Sequence, residues 1–149
     1  MWKFIIAALI AGAFYTPLAA QNVAVSLQSA VFVERLGHTG DGRVQRLIEP
    51  AKAFKRGDRV ILMVEWAARP TAQGFAVTSA IPATISFEDA SQDSLQVSVD
   101  GGRHWGTLGA LRIGSRYATP EDVTHLRWPV STYEAKRGSG RMTYSAIVR

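Results

Sequence analysis

The chain contains no cysteine. Disulfide staples, thiolate metal sites and a cysteine nucleophile are therefore excluded within its 149 residues, as is a lipidated cysteine, and the fold must hold by packing alone. Histidine is scarce: His38, His104 and His125 are the only ones, and none stands at i, i+4 on a helix or i, i+2 on a strand, the spacings a metal site would need. Long apolar runs are also missing. The longest, Phe4 to Tyr15, is about 12 residues against the ~20 that a membrane-spanning helix requires. Neither a G-x-S-x-G nucleophile elbow nor a G-x-x-x-x-G-K-[ST] phosphate loop is present, which leaves acyl transfer and nucleotide use unsupported.

What is present begins with a targeting signature. Residues 1–20, MWKFIIAALIAGAFYTPLAA, start with Lys3, run apolar, meet Pro17 and close on small residues, the pattern of a secretory signal peptide. Cleavage is expected after Ala20, leaving residues 21–149 as a single domain large enough to bury a core, exported to the periplasm or the cell exterior. No transmembrane segment is expected in that mature chain. The net charge of +5 is spread over loops and strand ends. That distribution favours loose attraction to polyanions, and export argues against a nucleic acid partner.

From residue 22 onward turn residues recur about every ten positions, with alternating segments between them. NVAVSLQSAVFVER (22–35) and VQRLIE (44–49) flank a glycine-rich loop with Asp41-Gly42, a hairpin signal. KRGD (55–58) launches RVILMVEW, where Val60, Leu62, Val64 and Trp66 share one face; Ile61 and Met63 on the other predict a central strand covered on both sides. FAVTSAI (75–81), TISFE (84–88), and SLQVSVD (94–100) paired with RHWGTLGAL (103–111) read as further strands, with 123–130 and 142–148 as the last. TPEDV carries the one helical signal, with Thr119 as N-cap and Pro120 at the first helical position. The expectation is an all-β, immunoglobulin-like β-sandwich of about 7 to 9 strands with one short helical turn near 119–123, an up-and-down barrel being the rival.

SVDGGRHW (98–105) resembles the Asp box of sialidase hairpins. Its chemistry is structural: the aspartate collects backbone N–H groups, glycine supplies positive φ and the tryptophan packs beneath. Ser98, Asp100, Gly102 and Trp105 are therefore read as a hairpin brace, and one copy on a chain of this length does not make a sugar-cleaving enzyme. Arg56-Gly57-Asp58 is likewise read as a turn before a strand and not as a receptor-binding tripeptide. Glu88, Asp89 and Asp93 suggest a carboxylate-lined loop, but it lacks the positions of an EF-hand, so no metal and no cofactor is expected.

The stretch from Glu49 to Phe87 resembles the immunoglobulin-like repeats of bacterial surface proteins catalogued as domain of unknown function 11. The shared features are Gly57-Asp58 before the long strand, Phe75 to Ile81 closed by Pro82, Thr84 to Phe87, and a last strand after Gly138-Ser139-Gly140. Glu65-Trp66-Ala67-Ala68 departs from the Asn-x-Gly that the family commonly has after the long strand. The resemblance implies a stand-alone, non-enzymatic structural or interaction module of the envelope or surface, with no catalytic residues to carry over. Its partner would be an envelope protein or an anionic polymer.

Two alternatives stay open. A carbohydrate-binding module would show two of Trp66, Trp105 and Trp128 coplanar and exposed, and a small hydrolase would show a pocket joining a base to a nucleophile. The remaining candidate is electrostatic. Lys52, Lys55, Arg56 and Arg59 flank one turn, and Lys136, Arg137 and Arg141 surround another. If the two turns share an end of the sandwich, they form a polyanion-contact surface.

Overall fold

The structure, a computed structural model, describes residues 25–149. The expected signal peptide at 1–20 and its cleavage point lie outside the described residues. Ten strands form: β1 Val25–His38, β2 Val44–Pro50, β3 Arg59–Ala68, β4 Phe75–Ala80, β5 Ile85–Ala90, β6 Gln96–Ser98, β7 Arg112–Ile113, β8 Arg116–Tyr117, β9 His125–Val130 and β10 Ser139–Val148. A five-stranded antiparallel sheet in the order β2-β1-β3-β10-β5 faces a three-stranded one in the order β4-β9-β6, and β7-β8 is a separate ribbon. The chain is an all-β sandwich of the immunoglobulin-like kind. Among the described residues, no helix is long and apolar enough to cross a membrane.

β3 is central because it is apolar on both faces. Val60, Leu62, Val64 and Trp66 are buried toward the opposite sheet, while Ile61 and Met63 are half-buried on the other side. β10 lies against it with Met142, Tyr144 and Ala146 in the same core, which β5 extends through Ile85 and Phe87. The second sheet answers with Val77, Val97, Leu126, Trp128 and Val130. Rings stitch the layers: Trp128 lies against Tyr144 at 6.1 Å between centroids and Trp66 meets Phe75 edge-on at 5.4 Å, while Phe87 backs Tyr144 from within its own sheet at 6.3 Å. Burial pushes the Tyr144 hydroxyl up to about 12, against a smaller lowering from its hydrogen bond with Ser79.

Several local expectations are corrected. The extra strands are the β7-β8 ribbon, which the sequence reading lacked. RHWGTLGAL is not a strand: its only ladder contact is the bridge between Val97 and Gly106, because Asp100 draws the chain into a turn instead. The helical turn near 119–123 is a 3-10 turn over Pro120–Asp122, in which the Asp122 carboxylate accepts from the Thr119 N–H at 2.8 Å and from both terminal nitrogens of Arg116. A second helical turn, α1 Thr132–Ala135, was not anticipated; the Ser131 hydroxyl caps the Glu134 N–H, and the Glu134 carboxylate accepts from the Ser131 N–H in return. β1 runs to His38, because the Thr39 to Arg43 turn closes on a bond between the Thr39 hydroxyl and Asp41 and on Gly42 at φ 81°.

Candidate functional site

The Asp100 turn is built from its own chain. The Asp100 carboxylate accepts from the backbone N–H groups of Arg103 and His104 at 3.1 and 2.9 Å and contacts the His104 ring nitrogen Nδ1 at 2.5 Å. The His104 ring, followed by its backbone N–H, holds the Asp100 carboxyl well below the usual carboxylate range. Buried Ser98 donates to Asp100 and accepts from the Gly102 N–H at 2.9 Å. Gly101 and Gly102 sit at φ 79° and 87°, a region that favours glycine. Trp105 then packs its ring edge-on to His125 and under the Arg127 guanidinium, 4.3 Å from the centroid, while Arg127 Nε donates to Gln96. Ser98, Asp100, Gly102 and Trp105 thus come together in one turn clamped onto the outer side of the β4-β9-β6 sheet, with the hydrogen-bonding groups of Asp100 and Ser98 spent inside it.

The basic residues do not come together. Gly57 N–H donates to Val148 at the Arg59 end of β3, whereas Gly138 accepts from the Ala68 N–H at the other end. The turn carrying Lys52, Lys55, Arg56 and Arg59 is therefore separated from Lys136 and Arg137 by the length of β3, about 30 Å at ~3.4 Å per residue, and Arg141, opposite Glu65, lies about 20 Å along the strand from Arg59. The antiparallel register of β3 and β10 is the reason. Arg59 is moreover held between Glu34 at 2.8 Å and Glu88 at 2.6 Å, and Arg141 pairs with Glu65 at 2.5 Å. The expectation of one shared basic end is corrected to two separate turns.

The other candidates are similarly dispersed. Trp66 and Trp128 are core residues and Trp105 lies on the outer side of the β4-β9-β6 sheet, so the coplanar exposed pair required for a sugar platform does not form. Glu88 faces Arg59 and Asp89 accepts its neighbour's N–H, and among the described residues no group of three or more histidine, aspartate or glutamate side chains is placed to hold a metal ion. In the Arg56-Gly57-Asp58 turn, the Asp58 carboxylate accepts the Lys55 N–H at 2.8 Å. An open groove of about 480 Å³ on the outer face of the large sheet holds Ser26, Gln28 and Ser139 around the Glu65–Arg141 ion pair.

The feature that the sequence does not reveal is the exposure of the β1-β2 hairpin. Every residue of β2 is exposed, and β2 is an edge of the large sheet. Leu36, Val44, Ile48 and Leu47 are 70, 62, 58 and 38 % exposed, a concentration of bare aliphatic surface on one hairpin. The ladder also has a definite parity. Thr39 N–H donates to Arg43 and Ala51 N–H donates to Val31, which brackets the pairing at both ends. In an antiparallel pair, bonded and non-bonded residues alternate. Gln45, Leu47 and Glu49 thus turn their N–H and C=O toward β1. Val44, Arg46 and Ile48 turn theirs outward, and Pro50 offers only its carbonyl. The cue available in the sequence was VQRLIEP itself, whose Val44, Leu47 and Ile48 fit neither face of a period-2 strand. No family model matches the chain, and no curated protein or solved structure matches it.

Proposed function

We propose that the chain is a non-catalytic, exported interaction module that acts by contact at the cell envelope or surface, and that the contact runs through the open edge of β2. The observation that carries this reading is the combination on one hairpin of outward backbone donors and acceptors with four exposed aliphatic side chains. An exposed edge is a template for another strand, and proteins that do not use such an edge usually cover or shorten it. The export half of the reading rests on residues 1–20, and the resemblance to surface repeats points the same way. Anionic polymer is a secondary partner, favoured by the two basic turns acting separately.

The test is co-sedimentation with envelope fragments from the producing cell, for the chain and for Ile48→Lys, which sets a charge on the edge without touching the core. The expected result is envelope binding that the substitution lowers at least several-fold. Binding unchanged by Ile48→Lys but abolished by high salt would shift the contact to the basic turns.

A further inference from the structure

We infer that the β2 edge pairs with the β2 edge of a second copy, antiparallel and centred on Leu47, so that two five-stranded sheets join into one continuous sheet. This rests on the reading of that edge as a contact surface and names its partner. A two-fold axis normal to the sheet keeps like faces together, so each residue of one β2 meets a residue of the same parity on the other. Only then do the outward groups of Val44, Arg46 and Ile48 oppose outward groups. An odd shift would set them against residues whose N–H and C=O already serve β1.

Among the even registers, one satisfies the side chains. With Leu47 opposite Leu47 of the second copy, Arg46 and Ile48 exchange both backbone bonds across the axis, and Val44 N–H reaches the carbonyl of Pro50. Pro50 lacks a donor but lies at the end of the strand, where only one bond is forgone. Side by side, Gln45 then faces Glu49, an amide donor against a carboxylate, and Arg46 lies across Ile48 from the second copy's Glu34. Within each copy Arg46 already pairs with Glu34 at 3.5 Å and Arg35 with Glu49 at 3.8 Å, so no like charges are directly opposed. Sliding by two residues one way opposes Arg46 to Arg46, a like-charge pair. Sliding the other way sets Leu47 against Glu49 and moves Pro50, with its missing N–H, from opposite Val44 at the end of the pairing to opposite Arg46, nearer the axis. The sequence VQRLIEP is thus self-complementary in one register.

A seven-residue edge is a small interface, so the association should be weak, with dissociation between about 1 µM and 1 mM. Sedimentation of the purified chain should show a monomer that becomes a dimer across that range. Arg46→Pro removes an outward N–H and leaves the bonds to β1 in place; it should keep the thermal transition and lose the dimer. Because the chain has no cysteine, Leu47→Cys is a clean reporter. Residues 47 would form a non-bonded antiparallel pair with Cα atoms about 4.5 Å apart, within disulfide reach. Leu47→Cys should therefore cross-link under mild oxidation, Gln45→Cys and Glu49→Cys should not cross-link alone, and a mixture of those two should. A monomer at every concentration with no cross-link at 47 overturns the inference, and if that same monomer still binds envelope fragments, the contact reading stands without it. A dimer that cross-links through 45 or 49 alone overturns the register.

Discussion

Gly140 stands directly across the ladder from Trp66, and a β-carbon at 140 would come within 2.5 Å of the indole ring. The missing side chain leaves the space that the ring uses. Trp66 cannot yield easily, because its other edge meets Phe75 on the facing sheet at 5.4 Å.

Gly140→Ala is accordingly expected to overpack this corner and cost about 1–3 kcal/mol, although alanine is otherwise the mildest change in a strand. Thermal unfolding of the variant checks it. An unchanged midpoint would mean that the indole moves aside freely.

The Asp100 turn gives a mutational and a pH prediction. Gly102→Val forces a branched side chain into φ 87° beside Trp105 and should cost about 1–3 kcal/mol. Asp100→Ala removes the acceptor for two backbone N–H groups and should lower the melting temperature as well. The folded-state pKa values of Asp100 and Asp122 lie below their ordinary values, through His104 and Arg116 respectively. Their stabilisation is present above the unfolded carboxylate pKa, near 4, and is lost as pH falls toward the depressed folded values. Melting temperatures at pH 7 and pH 2.5 should differ less in Asp100→Ala than in the parent chain.

Tyr144 governs the alkaline side. Its folded pKa is raised to about 12 by burial between the sheets. The sign is opposite to that of the aspartates: folding is undiminished below about pH 10, where the unfolded tyrosine begins to ionise, and loses stability as pH rises from there toward 12. A spectrophotometric titration should show a late tyrosinate step that Tyr144→Phe removes. Ionisation of every tyrosine near pH 10 with the fold intact would contradict this burial.

How much of this was legible depends on what each residue does. β3 could be read because apolar residues on both its faces leave no other place for it than the sheet centre. The Asp100 turn could be read because S-x-D-x-G-x-x-W specifies local bonds. α1 is equally local, since Ser131 and Glu134 spell a capping box, but its four residues between two strand patterns are too few to show a helical period. The β7-β8 ribbon is exposed, with Arg112 and Arg116 in its strands, so it left no hydrophobic period. The ends of β3 were illegible for a different reason. Which turn lies at which end depends on strand order and register, and the run of charges along the chain contains neither. For β2 the strand was legible and its nakedness was not, because the same aliphatic residues would serve an interior strand.

That nakedness leads to a prediction about backbone exchange. Within β2, Gln45, Leu47 and Glu49 have their N–H groups in the ladder with β1, whereas those of Val44, Arg46 and Ile48 point away from it. In dilute solution, where the chain is monomeric, amide hydrogen exchange should therefore alternate along the strand, slow at 45, 47 and 49 and fast at 44, 46 and 48. Fraying of an edge would speed all of them together, so the alternation itself is the signature. Its absence, with 45, 47 and 49 as fast as their neighbours, would mean that β2 does not hold to β1 in solution. The edge would then offer no fixed pattern of donors to any partner.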